Sequence, residues 1–365
     1  MELRPYQQKA VDWLCEHERG LVVAPAGSGK TVIAAAAIAK CMGYEPEHNP
    51  VVGWMANTTE QCQQAVSALR AFDILQRGHT HVHCAAAGID YSEDDVLIVD
   101  EAHHATAPEW KKQIESCKGV RWGFTATPWG RDAKRNAELK AMFGGNVFVI
   151  DREEVGQNLA PARVVWLDAC DAGLPERIEA ETEKVLKQRM RFRRYQMMSP
   201  QQARGEVAWG VCMEMGIRGN EARCEAARQA VKSSQDQTIV LCNLVEHAVE
   251  FAAEVDGVAC FSGMKGRKEV LGAFKFGKLN RIVATSLLDE GADFPCAEVL
   301  VLLSGGRNEA RTIQRTGRVL RPHPGKTEAV IYDFKDSAIP LMHRHAQKRA
   351  AIYEKLGYVG DYSWI

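Results

Sequence analysis

Short apolar runs alternate along this chain with stretches in which apolar residues return every three or four positions. Residues 21–24, 51–55, 96–99 and 122–125 are runs of strand length, and they read as buried strands. Residues 7–18, 31–41 and 60–72 carry the helical period between them. The run 147–150 closes this first set. The alternation returns later, with strands predicted over 238–242, 257–261, 281–285, 299–303 and 329–334. Helices are predicted between them over 246–254, 268–276 and 309–316, and a helical tail over 339–356. Strands that alternate with helices predict parallel sheets flanked by helices, an α/β fold. Residues 174–233 differ: they are rich in charge, Met, Ala and Gln and poor in β-branched runs. They predict helices, with breaks near Pro175, Pro200 and Gly219. The pattern divides the chain into an N-terminal α/β lobe over 1–160, a helical interlobe segment over 161–235, a second α/β lobe over 236–335 and a helical tail over 336–365.

Composition changes this picture little. Hydrophobic residues make up 46% and charged residues 25% of the 365, as in an ordinary globular protein. The net charge of -1 carries no global basic field, so a nucleic-acid partner has to be gripped in a local groove. No apolar run approaches the length of a membrane span, and the N-terminus, MELRPYQQKAVDW, lacks a signal-peptide core. The eleven cysteines form no CxxC pair, which argues against a zinc site and predicts reduced, mostly buried thiols. His79, His81 and His83, and the pair His103 and His104, lack complementary ligands at metal-binding spacing. His343 and His345 are expected at the surface near a helix end.

The chemistry begins at residues 24–31, APAGSGKT, placed between a predicted strand and a predicted helix. A loop that wraps its backbone N–H groups around phosphate oxygens needs small residues, which Ala26, Gly27, Ser28 and Gly29 supply. Lys30 is suited to the β- and γ-phosphates, and Thr31 to a Mg²⁺ ligand at the helix start. The consensus has Gly where this chain has Ala24, a mild departure. Asp100 and Glu101 follow the predicted strand 96–99, so both emerge at the strand's C-terminal edge. There Asp100 can hold Mg²⁺ and Glu101 can orient and polarise an attacking water. A third block, QRTGRVLR over 314–321, presents Gln314, Arg315, Arg318 and Arg321 at helical spacings.

These blocks, in this order, resemble the superfamily 2 helicases and translocases with a DEAH form of the second motif. The likeness is strongest to the XPB-like, UvsW-like and restriction-subunit translocases, and the matching blocks run from Leu3 to Phe334. The resemblance implies two RecA-like lobes of the P-loop NTPase class, with ATP and Mg²⁺ as cofactors. It implies that Gln7, supported by Arg4 and Tyr6, reads the adenine edge, and that Arg318 and Arg321 reach the γ-phosphate. Planar, permanently charged guanidinium groups suit that role. Gln314 is expected to organise water or nucleotide. Gly291 and Asp293, in LLDEGADFP, match the fifth motif, facing the nucleotide or its coupling network. The hydroxyls of Thr125 and Thr127 match the motif that couples hydrolysis to movement, with His103 of the DEAH block beside them.

A translocase grips phosphates rather than base edges, so that it can move over any sequence. The expected contacts are Asn57, Thr58 and Gln61 in the first lobe and Asn243 and Thr285 in the second. The basic run KQRMRFRRYQ, residues 187–196, fits a helix on a phosphate backbone and equally a solvated helix with two residues buried. The partner implied is nucleic acid, with duplex or branched DNA preferred over RNA. An RNA-directed helicase and an ATP-switched clamp with little unwinding stand as alternatives; the arginines of 314–321 and the TATP block argue against an ATPase acting on protein. The chain starts almost at the adenine-reading block, leaving no expected room for an N-terminal DNA-recognition domain, and 295–314 leaves none for a long strand-separating hairpin. The compact build resembles phage or mobile-element enzymes, which implies a cytoplasmic location.

Overall fold

The computed structural model describes residues 2–25, 27–41, 50–77, 79–126, 132–156, 160–285, 294–307 and 309–365, with backbone alone at 76, 77, 152, 309–311, 314 and 318. The chain divides into two compact units, the second beginning at Ala160.

The first unit holds β1 (Arg19–Val23), β2 (Val51–Ala56), β3 (His79–Cys84), β4 (Val96–Asp100), β5 (Val120–Thr125) and β6 (Val147–Val149). They form one sheet in the order β3-β2-β4-β5-β1-β6, and every pairing is parallel. Its helices are α1 (Pro5–Cys15), α2 (Lys30–Cys41), α3 (Thr59–Ala71), α4 (Ile74–Arg77), α5 (Pro108–Ser116), α6 (Ala133–Met142) and α7 (Arg152–Gly156). Successive residues of a strand point to opposite faces. Val22, Trp54, Ile98 and Phe124 therefore pack with α1, α2 and α3 on one face. Leu21, Met55, Leu97 and Val99 pack with α5 and α6 on the other. Burial on both faces is why these strands read as unbroken apolar runs. The sequence pattern misses β3, whose HTHVHC offers polar residues at most positions.

The second unit holds β7 (Ala162–Leu167), β8 (Thr238–Leu241), β9 (Val258–Cys260), β10 (Arg281–Ala284), β11 (Val299–Val301) and β12 (Ala329–Phe334), ordered β7-β12-β11-β8-β10-β9. Its pairings are parallel as well. Its helices are α8 (Leu174–Arg189), α9 (Arg193–Gln196), α10 (Pro200–Val211), α11 (Glu221–Lys232), α12 (Val245–Glu254), α13 (Arg267–Lys275), α14 (Glu309–Val319) and α15 (Pro340–Lys355). A π-helical stretch, Cys212–Arg218, continues α10. The segment 161–235 is thus not helical throughout: β7 pairs with β12 along its whole length. Pro175 and Pro200 do not interrupt helices but open α8 and α10, where the missing N–H lacks an intrahelical acceptor anyway. α8, α10 and the π stretch share a core with the start of α15 through Ile178, Val207, Ile217 and Met342. Gly216 permits that approach, since a Cβ there would lie 2.8 Å from Met342 Sδ.

Two buried ion pairs lock the end of β12. Arg349 of α15 grips Asp333 with Nε and Nη2, both at 2.8 Å, and Tyr353 donates to the same carboxylate at 2.9 Å. Arg223 of α11 pairs with Asp336 and lies over the Phe334 ring. Val359 then donates to Ala162 O (2.9 Å) and accepts from Val164 N–H (2.7 Å), lying against β7 at the sheet edge.

Two expectations are corrected. Cys15 and Cys41 are joined in a disulfide, because the ends of α1 and α2 pack with their Cα atoms 5.3 Å apart. The other nine cysteines are free thiols, six of them buried. His345 is buried rather than at the surface, packed against Trp209 from the inward face of α15. Among the described residues, no helix is long and apolar enough to cross a membrane.

Candidate active site

The phosphate loop joins β1 to α2, and α1 is fastened to it. Arg4 caps α1, and its backbone N–H donates to Gln7 Oε1 at 3.0 Å. The Gln7 amide nitrogen donates to Ser28 O at 2.9 Å, and Tyr6 OH donates to the same carbonyl at 3.1 Å. Arg4 Nη1 in turn donates to Tyr6 OH at 3.1 Å. Gln7, expected to read a base edge, is thus bonded at both ends of its amide to the protein, one end to the loop itself. Gly27 and Gly29 take φ of 83° and 80°, the left-handed region that a side chain disfavours. A Cβ on Gly29 would fall 2.5 Å from Gln7 Nε2, so glycine is needed there twice over. Ser28 Oγ is buried without a hydrogen-bond partner. Small residues in left-handed turns with an orphaned hydroxyl beside them fit a phosphate cradle. The Lys30 ammonium lies within 3.4 Å of the carbonyls of Ala24 and Pro25.

β4 delivers the carboxylates. Asp100 is its last residue, and Asp100 Oδ1 accepts the Glu101 N–H at 2.9 Å. Burial first, and the neighbouring Glu101 charge second, push the Asp100 carboxyl up to about 6, with Lys30 opposing both. Glu101 stays below the usual carboxylate range. Its burial raises it, but the His103 hydrogen bond and the Lys30 charge outweigh that. Its backbone sits at φ 50°, a left-handed conformation rare outside glycine. That turn ends the strand and starts a 3₁₀ turn over Ala102–His104. A partly buried carboxylate whose ionisation burial and a neighbouring charge oppose, with a hydroxyl residue at the start of α2, is an oxygen donor set suited to a hard divalent cation. Asp100 and Thr31 are the residues that would hold Mg²⁺.

His103 joins three motifs. Its Nδ1 lies 3.3 Å from Glu101 Oε2 and 3.2 Å from Thr125 Oγ1. Thr125 ends β5, and its carbonyl accepts the Ala24 N–H at 3.0 Å, at the entrance to the phosphate loop. Next to it, burial and the adjacent His103 push His104 down to about 4, and its ring lies tilted 5.4 Å from that of Trp110. Lys30, Asp100, Glu101, His103 and Thr125 are therefore brought together at one end of the sheet, as the sequence predicts.

The expected nucleic-acid contacts have local duties as well. Thr58 caps α3, taking the Gln61 N–H at 3.3 Å, while Gln61 Oε1 takes the N–H groups of Asn57 and Thr58 at 3.0 and 3.1 Å. This reciprocal cap is readable in the sequence as Thr-x-x-Gln before a helix. In the second unit Asn243 donates to the Ser304 carbonyl, and Arg315 donates to the Ser304 hydroxyl at 2.7 Å. Ser304 is the residue that sequence reasoning missed; a lone serine after a strand carries no signal of its own. Thr285 is buried just past β10. Arg321 lies two residues beyond the end of α14, partly buried. Ala26, Thr127, Gly291 and Asp293 lie outside the described residues, as do the side chains of Gln314 and Arg318.

Comparison with known proteins points to helicases. Residues 222–323 match the helicase conserved C-terminal domain, and residues 1–86 and 80–129 match the res subunit of type III restriction enzymes. A candidate helicase of Sulfolobus islandicus filamentous virus is 23% identical over 91% of this chain and 64% of its own length. The DNA 3'-5' translocase XPB2 of Sulfurisphaera tokodaii is 21% identical, over 88% of this chain and 79% of that protein. The Hef helicase domain of Pyrococcus furiosus has the same fold, with a TM-score of 0.56 and 16% identity, covering 92% of this chain and 96% of that one. The chain spans from about half to four fifths of the length of the relatives it matches over most of its own length.

Proposed function

We propose that this chain, which belongs to the superfamily 2 helicases and translocases, hydrolyses ATP and converts the hydrolysis into movement along DNA. The observation that carries the reading is the link from Glu101 through His103 to Thr125 beside the phosphate loop. It joins the residue that would activate water to the strand end that the family uses for coupling.

In this reading the backbone of 27–29 and Lys30 bind the phosphates. Asp100 and Thr31 would hold Mg²⁺, which would supply neutralisation of phosphate charge. Glu101, kept ionised by His103 and Lys30, accepts the proton of the attacking water. Gln7 ties base binding to the loop, since its amide holds the Ser28 carbonyl. Thr125 passes the state of Glu101 to β5. Arg318 and Arg321 are assigned to stabilising the charge on the transferred phosphoryl. Alternating grip by Asn57, Thr58, Gln61, Asn243 and Thr285 then gives stepping along the backbone. Duplex or branched DNA is the track, and the cytoplasm the compartment.

The test is steady-state ATPase activity, alone and with single-stranded, duplex or forked DNA or with RNA, using Glu101→Gln as control. Stimulation by DNA that disappears in Glu101→Gln is the expected result. Preferential stimulation by RNA would replace the track, and hydrolysis indifferent to every nucleic acid would reject the coupling.

A further inference from the structure

We infer that the tip of the α8–α10 helical hairpin is a second nucleic-acid grip, built for an unpaired strand, with Phe192 stacking on an exposed base. The inference rests on the proposed nucleic-acid track and adds a contact outside the strand ends that form it.

Between Glu183 and Glu206 the chain has seven cations and no carboxylate, in a protein whose net charge is -1. Lys187, Arg189, Arg191, Arg193 and Arg194 are all exposed at the tip. Arg194 is bonded to Glu206, and Arg189 and Arg194 lie near the Tyr195 ring. Among the described residues, Lys187, Arg191 and Arg193 make no ion pair. Unpaired guanidinium groups crowded on one turn repel each other and call for an anion of matching density.

The apolar residues at the same tip are not buried. Phe192 is 60% exposed and Met197 78%, whereas Tyr195 on the inward face is 7% exposed. An aromatic ring held out between arginines suits a base whose face is free. Bases within a duplex are already stacked, so the ring discriminates in favour of unpaired nucleotides.

The patch also leads somewhere. Met198 and Ser199, directly after it, open a cavity of about 1190 Å³, large enough for more than one nucleotide. Its walls include Trp209, His345, Arg307 and Asn243. Asn243 is an expected backbone contact, so the cavity connects the tip to the track. The π-helical stretch that forms part of the wall through Met213 is a rare conformation, often found at functional sites. An acidic protein partner would satisfy the arginines but gives no role to the exposed ring beside them or to the cavity.

The experiment is fluorescence anisotropy of the whole chain with labelled oligothymidylate and with a blunt duplex of equal length, across a salt series. Phe192→Ala should weaken oligothymidylate binding about tenfold and duplex binding less than twofold, and Phe192→Trp should retain wild-type affinity. Arg191→Gln with Arg193→Gln should lower the salt slope for the single strand by about 1.4, from about 0.7 per lost phosphate contact. ATPase activity without nucleic acid should be unchanged in each, since none of these residues lies at the nucleotide site. Phe192→Ala binding oligothymidylate as wild type does would overturn the inference. So would equal losses on duplex and single strand, or a Phe192→Trp loss as large as that of alanine. If the wild-type chain binds no nucleic acid and its ATPase ignores it, the proposed function itself fails; wild-type stimulation with indifferent tip variants rejects only the grip.

Discussion

Asp100 ends β4 of the first sheet, and Asp333 lies one residue before the end of β12 in the second. Both are carboxylates at the C-terminal edge of a parallel sheet, yet their surroundings are opposite. Asp333 is fully buried and accepts from two Arg349 nitrogens, from Tyr353 and from the Phe334 N–H. Asp100 accepts the Glu101 N–H and is pushed up to about 6 by burial and by the Glu101 charge. A carboxylate supplied with every partner is a clamp. One left short of positive charge has capacity for a cation, the role proposed for Asp100. The two units share an architecture; what differs is whether the strand end is closed by the protein or left for a ligand.

The comparison predicts activity loss without stability loss on one side and the reverse on the other. Glu101→Gln should lower ATPase turnover by about 10²- to 10⁴-fold, the range for loss of a general base, with the unfolding midpoint unmoved. Arg349→Met should do the opposite in kind, destabilising the fold by about 3–5 kcal/mol in urea titration, because Asp333 is left charged and buried. Loss of stability in Glu101→Gln, or none in Arg349→Met, would break the contrast.

Buried histidine sharpens it. Burial holds the His247 ring down to about 4, while the unfolded chain takes up that proton near the ordinary 6.5. Stability is therefore lost as pH falls from 6.5 toward 4, by at most about 1.4 kcal/mol per pH unit from this residue. His247→Leu should flatten that part of the stability profile, and an unchanged profile would refute the assignment. The smallest effect is expected at α3: Thr58→Ala should destabilise by about 1 kcal/mol through loss of the cap, and Thr58→Asn should restore it. A Thr58→Ala protein that loses DNA affinity with no loss of stability would instead assign the hydroxyl to the track.

Most strands and the nucleotide site were legible because each rests on a local pattern. Apolar runs of four to six residues mark strands buried on both faces, and 24–31 and 100–103 carry their chemistry in contiguous residues. What escaped depends on distant partners. β7 is an edge strand whose place is fixed by β12, more than a hundred and fifty residues away. The Cys15–Cys41 link depends on how α1 packs on α2, which spacing alone does not reveal. Gln7 is expected from the sequence at the adenine edge, and its bond to the Ser28 carbonyl was not legible, because that bond follows from the loop's curvature rather than from its composition.

Among the described residues, the β7 edge of the second sheet is met by the tail. Residue 359 occupies the hydrogen-bonding positions of Ala162 and Val164 on the outer side of β7. An open strand edge is a template on which any extended peptide can crystallise, a neighbouring copy of the same chain first of all. A single valine, brought back by the turn at Gly357, acts as the stopper. Altering the last residues of this chain would therefore change its tendency to polymerise before it changed anything at the nucleotide.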